Sequence, residues 1–189
     1  NGNVSSIGPR SCYDESKRMG ETLCWIYSKH YNIPITVVRP FNNYGPGMKL
    51  DDGRLPADLA KNIIKNNNIV LYSDGKPTRT YCYISDAING YLRALTHGKF
   101  DVFNIGNSQP EVSVKFFTEK FVKIARENFG YSKKIIFRNS KDKNFLTNNP
   151  NRRCPKINKS KKILRYIPKI NLDNGILRFL TFLKNNDEY

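Results

Sequence analysis

At 189 residues, with 39% hydrophobic and 12% aromatic residues, the chain can build one ordinary domain with a real core. Its formal net charge of +16, from 32 Lys+Arg against 16 Asp+Glu, raises nucleic acid or an anionic membrane surface as partners. The charges are scattered, with one denser run from Lys156 to Lys169. No zinc finger, RNA-binding aromatic signature or leucine-zipper basic region accompanies them, so compositional bias and a general pull on anionic ligands explain them better than specific nucleic-acid binding.

In chain order, residues 1–10 read as loop, broken by Gly2, Gly8 and Pro9. Residues 13–31 read as a helix with Met19, Leu23, Ile26 and Tyr27 at helical spacing and Trp25 nearby. These apolar residues fall on more than one face, so one face covers a sheet and another needs a partner. Residues 35–38 form a short β-branched strand that ends at Arg39 to Asn43. A loop opens at Pro46-Gly47 and runs to Arg54. A helix over 56–66, with Pro56 in its first turn, and a strand over 69–72 follow. Residues 78–84 alternate as a strand, and Ser85 or Asp86 is placed to cap a helix to about Thr96. The pattern continues with a strand over 101–105, a helix capped by Ser113 to about Asn128, a strand over 134–138 and a polar loop over 140–153. Helices over 158–164 and 172–184 close the chain.

The four cysteines, Cys12, Cys24, Cys82 and Cys154, form no C-x-x-C, and the two histidines are isolated. No metal site is expected, and free thiols in a reducing cytosol are the default. No apolar run approaches the ~20 residues of a membrane span and no signal peptide is visible, which makes a cytoplasmic location the expectation.

The chemistry centres on Ser11-Cys12-Tyr13-Asp14-Glu15-Ser16-Lys17, which holds Tyr-x-x-x-Lys. On a helix this offset stacks the two side chains one turn apart. A phenol with a pKa near ~10 is a poor base at neutral pH, and a neighbouring ammonium stabilises the phenolate. Alone the motif is common and weak. It is followed, in order, by Val38-Arg39-Pro40-Phe41-Asn42-Asn43-Tyr44-Gly45-Pro46, Asp52-Gly53-Arg54, Leu71-Tyr72-Ser73-Asp74-Gly75, Thr78-Arg79-Thr80-Tyr81-Cys82-Tyr83-Ile84-Ser85-Asp86 and Asn104-Ile105-Gly106-Asn107.

This series closely resembles the extended short-chain dehydrogenase/reductases, the NAD-dependent nucleotide-sugar epimerases, dehydratases and decarboxylases, from about Gly2 to Tyr189. Within them it is most similar to the UDP-glucuronate decarboxylases. The resemblance implies an α/β fold: the C-terminal part of a doubly wound, Rossmann-type parallel sheet plus a small α+β substrate domain. Residues 1–50 would be a remnant of the NAD-binding domain. Residues 51–189 would be mainly the nucleotide-sugar domain, with some return to the sheet near 78–106. The 12 glycines include no G-x-G-x-x-G or G-x-x-G-x-x-G turn for the cofactor's pyrophosphate. The family also places a Thr/Ser-x-Glu-type catalytic segment ahead of the tyrosine. The chain therefore reads as part of a longer enzyme and is expected to be inactive by itself.

By the same resemblance, Tyr13 is the acid/base, with Lys17 as its cationic partner on the nicotinamide ribose. Phe41 and Asn43 lie beside the cofactor, together with Arg54. Asn42, Tyr72 and Arg79 face the sugar nucleotide, Tyr72 against base or ribose unless it is simply core. Arg153 meets a substrate carboxylate. The decarboxylases carry Arg-Lys-Pro-Asp-Ile at Arg153 to Ile157, and here Cys154 and Lys156 replace the Lys and Asp. The expected cofactor is NAD and the expected substrate a UDP-sugar, UDP-glucuronate first, decarboxylated through a 4-keto intermediate. A dTDP-glucose 4,6-dehydratase or UDP-sugar 4-epimerase is the alternative, and an inactive sugar-nucleotide-binding fragment is the alternative of another class. The first helix is the expected homodimer surface.

Overall fold

The structure is a computed structural model that describes residues 5–140 and 149–186. Parts of the loops expected over 1–10 and 140–153 lie outside the described residues.

Helix α1 (Ser11–Tyr31) starts two residues earlier than the pattern suggested and ends at Asn32, whose φ of 52° is the left-handed conformation that asparagine tolerates. The Ser28 hydroxyl donates to the Ile33 carbonyl at 2.7 Å and fastens the turn. Strand β1 (Thr36–Pro40) lies one to two residues later than expected. Then come β2 (Asn43–Tyr44), α2 (Leu55–Ile64), β3 (Ile69–Leu71), β4 (Thr78–Arg79), β5 (Cys82–Tyr83) and α3 (Ile84–Leu95). The chain continues through β6 (Asp101–Ile105), β7 (Val112–Ser113), α4 (Val114–Phe129), β8 (Ile135–Phe137), β9 (Arg152–Arg153), α5 (Asn158–Leu164) and α6 (Leu172–Lys184). Pro56 falls in the first turn of α2, where its missing N–H costs nothing. Ser113 caps α4 as expected, accepting from Phe116 N at 3.1 Å.

Parallel pairing dominates. Strand β1 pairs with β6 from Thr36↔Asp101 to Pro40↔Ile105, β2 with β5, and β3 with β8. Strand β4 lies between antiparallel β7 and parallel β9. The parallel β1/β6 pair with α3 and α5 packed against it is the α/β arrangement of the expected fold.

Two local expectations are corrected. The single strand over 78–84 is two short strands in different sheets. The chain changes partners at Thr80: its N–H goes to the Arg153 carbonyl at 3.2 Å, while its carbonyl accepts from Asn42 Nδ2 at 2.8 Å. A side chain therefore takes the place of a ladder bond. Neither Ser85 nor Asp86 caps α3, whose N-cap is Tyr83. Asp86 instead accepts from the backbone N–H groups of Lys169 and Ile170 at 2.9 and 2.8 Å, tying α3 to the approach to α6.

The larger core gathers residues of α2, α4 and α6 around Tyr44 and Tyr81, with Tyr81 stacked on Phe117 at 3.6 Å. A smaller core under β1 and β6 joins Phe103, Ile105, Ile157, Leu164 and Tyr166. At Gly90 of α3 a Cβ would meet Ile105 Cγ2 at 2.5 Å and Tyr166 Cε2 at 3.0 Å, both in fully buried residues. Gly90→Ala is thus expected to lower stability by about 1–3 kcal/mol despite alanine's better helix propensity. A urea midpoint equal to or above that of the wild type would contradict it.

Helix α1 is the exception to this packing. Only Ser28 is buried on it, while Met19, Leu23, Trp25, Ile26, Tyr27 and Tyr31 are exposed. It is held to β1 by a two-point ion pair, Arg39 Nε to Glu21 Oε1 at 2.6 Å and Arg39 Nη2 to Oε2. The guanidinium bonded to Glu21 holds that carboxyl below its usual pKa.

Candidate functional site

Tyr13 and Lys17 share one face at the start of α1, with the Lys17 Nζ 5.5 Å from the Tyr13 ring centroid. Tyr13 is 56% exposed. The ring also carries a second cation that the motif does not include. The Arg10 guanidinium carbon lies 5.3 Å from the same centroid, three residues before Tyr13. Asp14 holds Arg10 through Nε at 2.9 Å and Nη2 at 3.3 Å. Arg10 Nη1 reaches Asn149 Oδ1 at 3.4 Å, and Arg153 Nη2 bonds the same oxygen.

The register of β4 and β9 explains how Arg153 arrives there. Thr78 is paired with Arg152 and Arg79 with Arg153. Because strand side chains alternate, Arg79 and Arg153 share one face and Thr78 and Arg152 the other. On that second face Arg152 pairs with Glu111 at 2.7 Å, and Thr78 Oγ1 donates to Glu111 at 2.6 Å. On the first face the like charges of Arg79 and Arg153 lie next to each other. Arg79 is only 7% exposed, and its Nη1 donates to the carbonyls of Thr78 at 2.7 Å and Asn151 at 3.1 Å. Among the described residues, no carboxylate bonds Arg79 or Arg153. Burial, then the neighbouring charges of Arg10 and Arg79, push the Arg153 pKa down to about 10, which still leaves a cation at neutral pH. Burial also lowers Arg79. Like charges opposite each other on paired strands destabilise a sheet. Three clustered arginines, with Asp14 the one carboxylate bonded to them among the described residues, form a surface suited to an anion of more than one charge.

Beside this cluster, the Phe41 N–H bonds the Ile105 carbonyl at 3.0 Å just past the end of β1. A Cβ on Gly106 would lie 2.8 Å from Phe41 Cβ and 3.4 Å from Pro155, so a glycine there lets the 41–43 turn and the chain leaving β9 close on the carboxyl ends of β1 and β6. Ligands bind at such strand ends in open α/β sheets. Asn42 takes a left-handed φ of 45° and spends its amide N–H on Thr80. Asn43 Nδ2 donates to the Tyr91 hydroxyl, and its buried Oδ1 has no partner among the described residues.

The structure thus brings Tyr13, Lys17 and Arg153 into one neighbourhood, with Arg79 beside Arg153. Arg54 stands elsewhere, tied by its own N–H at 2.8 Å and Nε at 2.7 Å to Asp52. Tyr72 is 49% exposed just past β3, so it is not a core residue. Cys12 is exposed beside Tyr13. No group of three potential metal ligands occurs among the described residues. Sequence reading missed Arg10 and Asn149. Arg10 carried a signal, since position −3 from Tyr13 faces the same way as +4, but Pro9 made the segment read as loop.

Comparison with known proteins identifies the family. Residues 2–106 match the NAD dependent epimerase/dehydratase family. The chain belongs to that family. It is 36% identical over 168 residues to UDP-glucuronic acid decarboxylase 4 of Arabidopsis thaliana, covering 88% of this chain and 35% of that protein. It is 32% identical over 167 residues to UDP-glucuronic acid decarboxylase 1 of Xenopus tropicalis, covering 88% and 37%. The chain therefore spans little more than a third of these two relatives' length. The UDP-glucuronic acid 4-epimerase of Bacillus cereus, solved with UDP-glucuronic acid and NAD, superposes with a TM-score of 0.77 at 28% identity, over 98% of this chain and 57% of that one. The UDP-glucose 4-epimerase of Thermotoga maritima, at 22% identity and a TM-score of 0.82 over 98% and 59%, shares the fold. No helix among the described residues is long and apolar enough to cross a membrane.

Proposed function

We propose that this family member acts on a nucleotide sugar that carries a carboxylate, most simply UDP-glucuronate, and removes that carboxylate as CO2. The observation that carries the reading is the cluster of Arg10, Arg79 and Arg153 beside Tyr13, in which Asp14 pairs with Arg10 and no carboxylate among the described residues bonds Arg79 or Arg153. Arg79 answers the diphosphate, and Arg10 and Arg153 answer the sugar carboxylate. Tyr13 takes the proton of the sugar hydroxyl next to the carboxylate-bearing carbon, with Lys17 stabilising the resulting phenolate. A ketone at that position makes the carboxylate a β-keto acid. The bond to CO2 then breaks with its electron pair moving toward the ketone oxygen, and a proton replaces CO2 on carbon.

The neighbouring phenol and ammonium, both at an open site, fit the nicotinamide ribose of NAD, and Phe41 and Asn43 are further candidates to line its site. NAD supplies hydride acceptance and return when bound. Arg54, paired with Asp52, is the further candidate to meet the cofactor. The exposed apolar residues of α1 support a homodimer surface, as expected for a helix with no second layer against it.

A 4-epimerase of UDP-glucuronate is the second reading, favoured by the likeness to the Bacillus cereus enzyme, and it would use the same carboxylate contacts. Binding by the full-length protein tests what both readings share. UDP-glucuronate is expected to bind about tenfold or more tightly than UDP-glucose, and equal affinities would remove the carboxylate from the reading.

A further inference from the structure

Asn149 is held by two arginines from opposite ends of the chain. Arg10 Nη1 lies 3.4 Å from its Oδ1, and Arg153 Nη2 bonds the same atom. Guanidinium groups only donate, so the amide must turn its oxygen to them and its NH2 away. One neutral oxygen therefore sets the spacing of two cations that lie 139 and four residues from it along the chain. Asp14 compensates Arg10 in part, at 2.9 Å, and no carboxylate among the described residues bonds Arg153 or Arg79.

We propose that Asn149 is a positioning and specificity-determining residue: it aligns Arg10 and Arg153 on a shared point and, being uncharged, leaves their charge free for an anionic group of the ligand. An amide oxygen satisfies the guanidinium donors well enough to order them. A carboxylate or phosphate makes charge-assisted bonds roughly twice as strong and displaces it. An acid at 149 would do the opposite. It would neutralise both arginines from within, relieve the repulsion between Arg10, Arg79 and Arg153, and compete with the ligand at no cost in association entropy. This assignment rests on the anionic-substrate reading above and adds to it the residue that keeps the site open.

The test compares Asn149→Asp and Asn149→Ala in the full-length protein, reading the melting temperature and the dissociation constants of UDP-glucuronate and UDP-glucose. Asn149→Asp is expected to raise the melting temperature and to weaken UDP-glucuronate binding about tenfold or more. Asn149→Ala is expected to weaken it about threefold or less and not to raise the melting temperature. The opposite movement of stability and affinity is what a purely structural contact would not produce. Unchanged affinity in Asn149→Asp overturns the proposal. So does a fall in both melting temperature and affinity that matches Asn149→Ala. An Asn149→Asp protein that does not fold also overturns it, because relief of repulsion is its premise. A loss in Asn149→Asp that is equal for UDP-glucuronate and UDP-glucose leaves Asn149 in its role for the diphosphate and removes only the sugar carboxylate from the proposed function.

Discussion

Tyr13→Phe is expected to lower turnover by about 10²–10⁴-fold in the full-length enzyme, with substrate affinity little changed. The substitution deletes one oxygen from a half-exposed ring and leaves its contacts with Arg10 and Lys17 in place. Nothing in the core depends on that oxygen. A loss confined to kcat marks an interaction made in the transition state, whereas a rise in KM alone would mark simple binding. Lys17→Ala is expected to slow turnover as well, because the phenolate loses its nearest α1 cation on the C-terminal side. Turnover of Tyr13→Phe within threefold of wild type would remove Tyr13 as the proton carrier.

Arg153→Ala is the second large effect. Truncating one partner of a buried charged contact costs about 2–5 kcal/mol, or ~30-fold and more in kcat/KM. The loss should fall mainly on UDP-glucuronate. On the proposed reading UDP-glucose would keep a diphosphate contact through Arg79, and it has no carboxylate to lose. Removing Arg153 also relieves Arg79 of a neighbouring cation, so the variant should fold at least as well as wild type. Equal losses on the two sugars would move Arg153 from carboxylate recognition to general phosphate binding.

Much of the architecture was legible because its signals are local. The β-branched run before Pro40, the Ser113 cap and the helical spacing of Phe117, Phe121 and Ile124 each depend on neighbours in sequence. The break within 78–84 was not legible. Alternation looked the same on both sides of Thr80, and the change of sheet is imposed by the Asn42 amide 38 residues away. The capping role of Asp86 failed for the same reason, since its acceptors are claimed by backbone N–H groups more than 80 residues on. At the candidate site, a four-residue offset pointed to Tyr13 and Lys17, and motifs pointed to Arg79 and Arg153. Their adjacency came only from the parallel register of two-residue strands, too short to announce themselves. Asn149 looked like one asparagine among many in a polar loop, and only the folded chain places it between two arginines.

The most direct measurement is the fate of the sugar carboxylate. The full-length protein, given NAD and UDP-glucuronate labelled with ¹³C at the carboxylate carbon, is expected to release labelled CO2 and one equivalent of UDP-pentose. That product would require both the anion-holding arginines and the Tyr13 proton transfer. Label retained in a UDP-hexuronate of inverted C4 configuration, or returned unchanged, would contradict decarboxylation at this site.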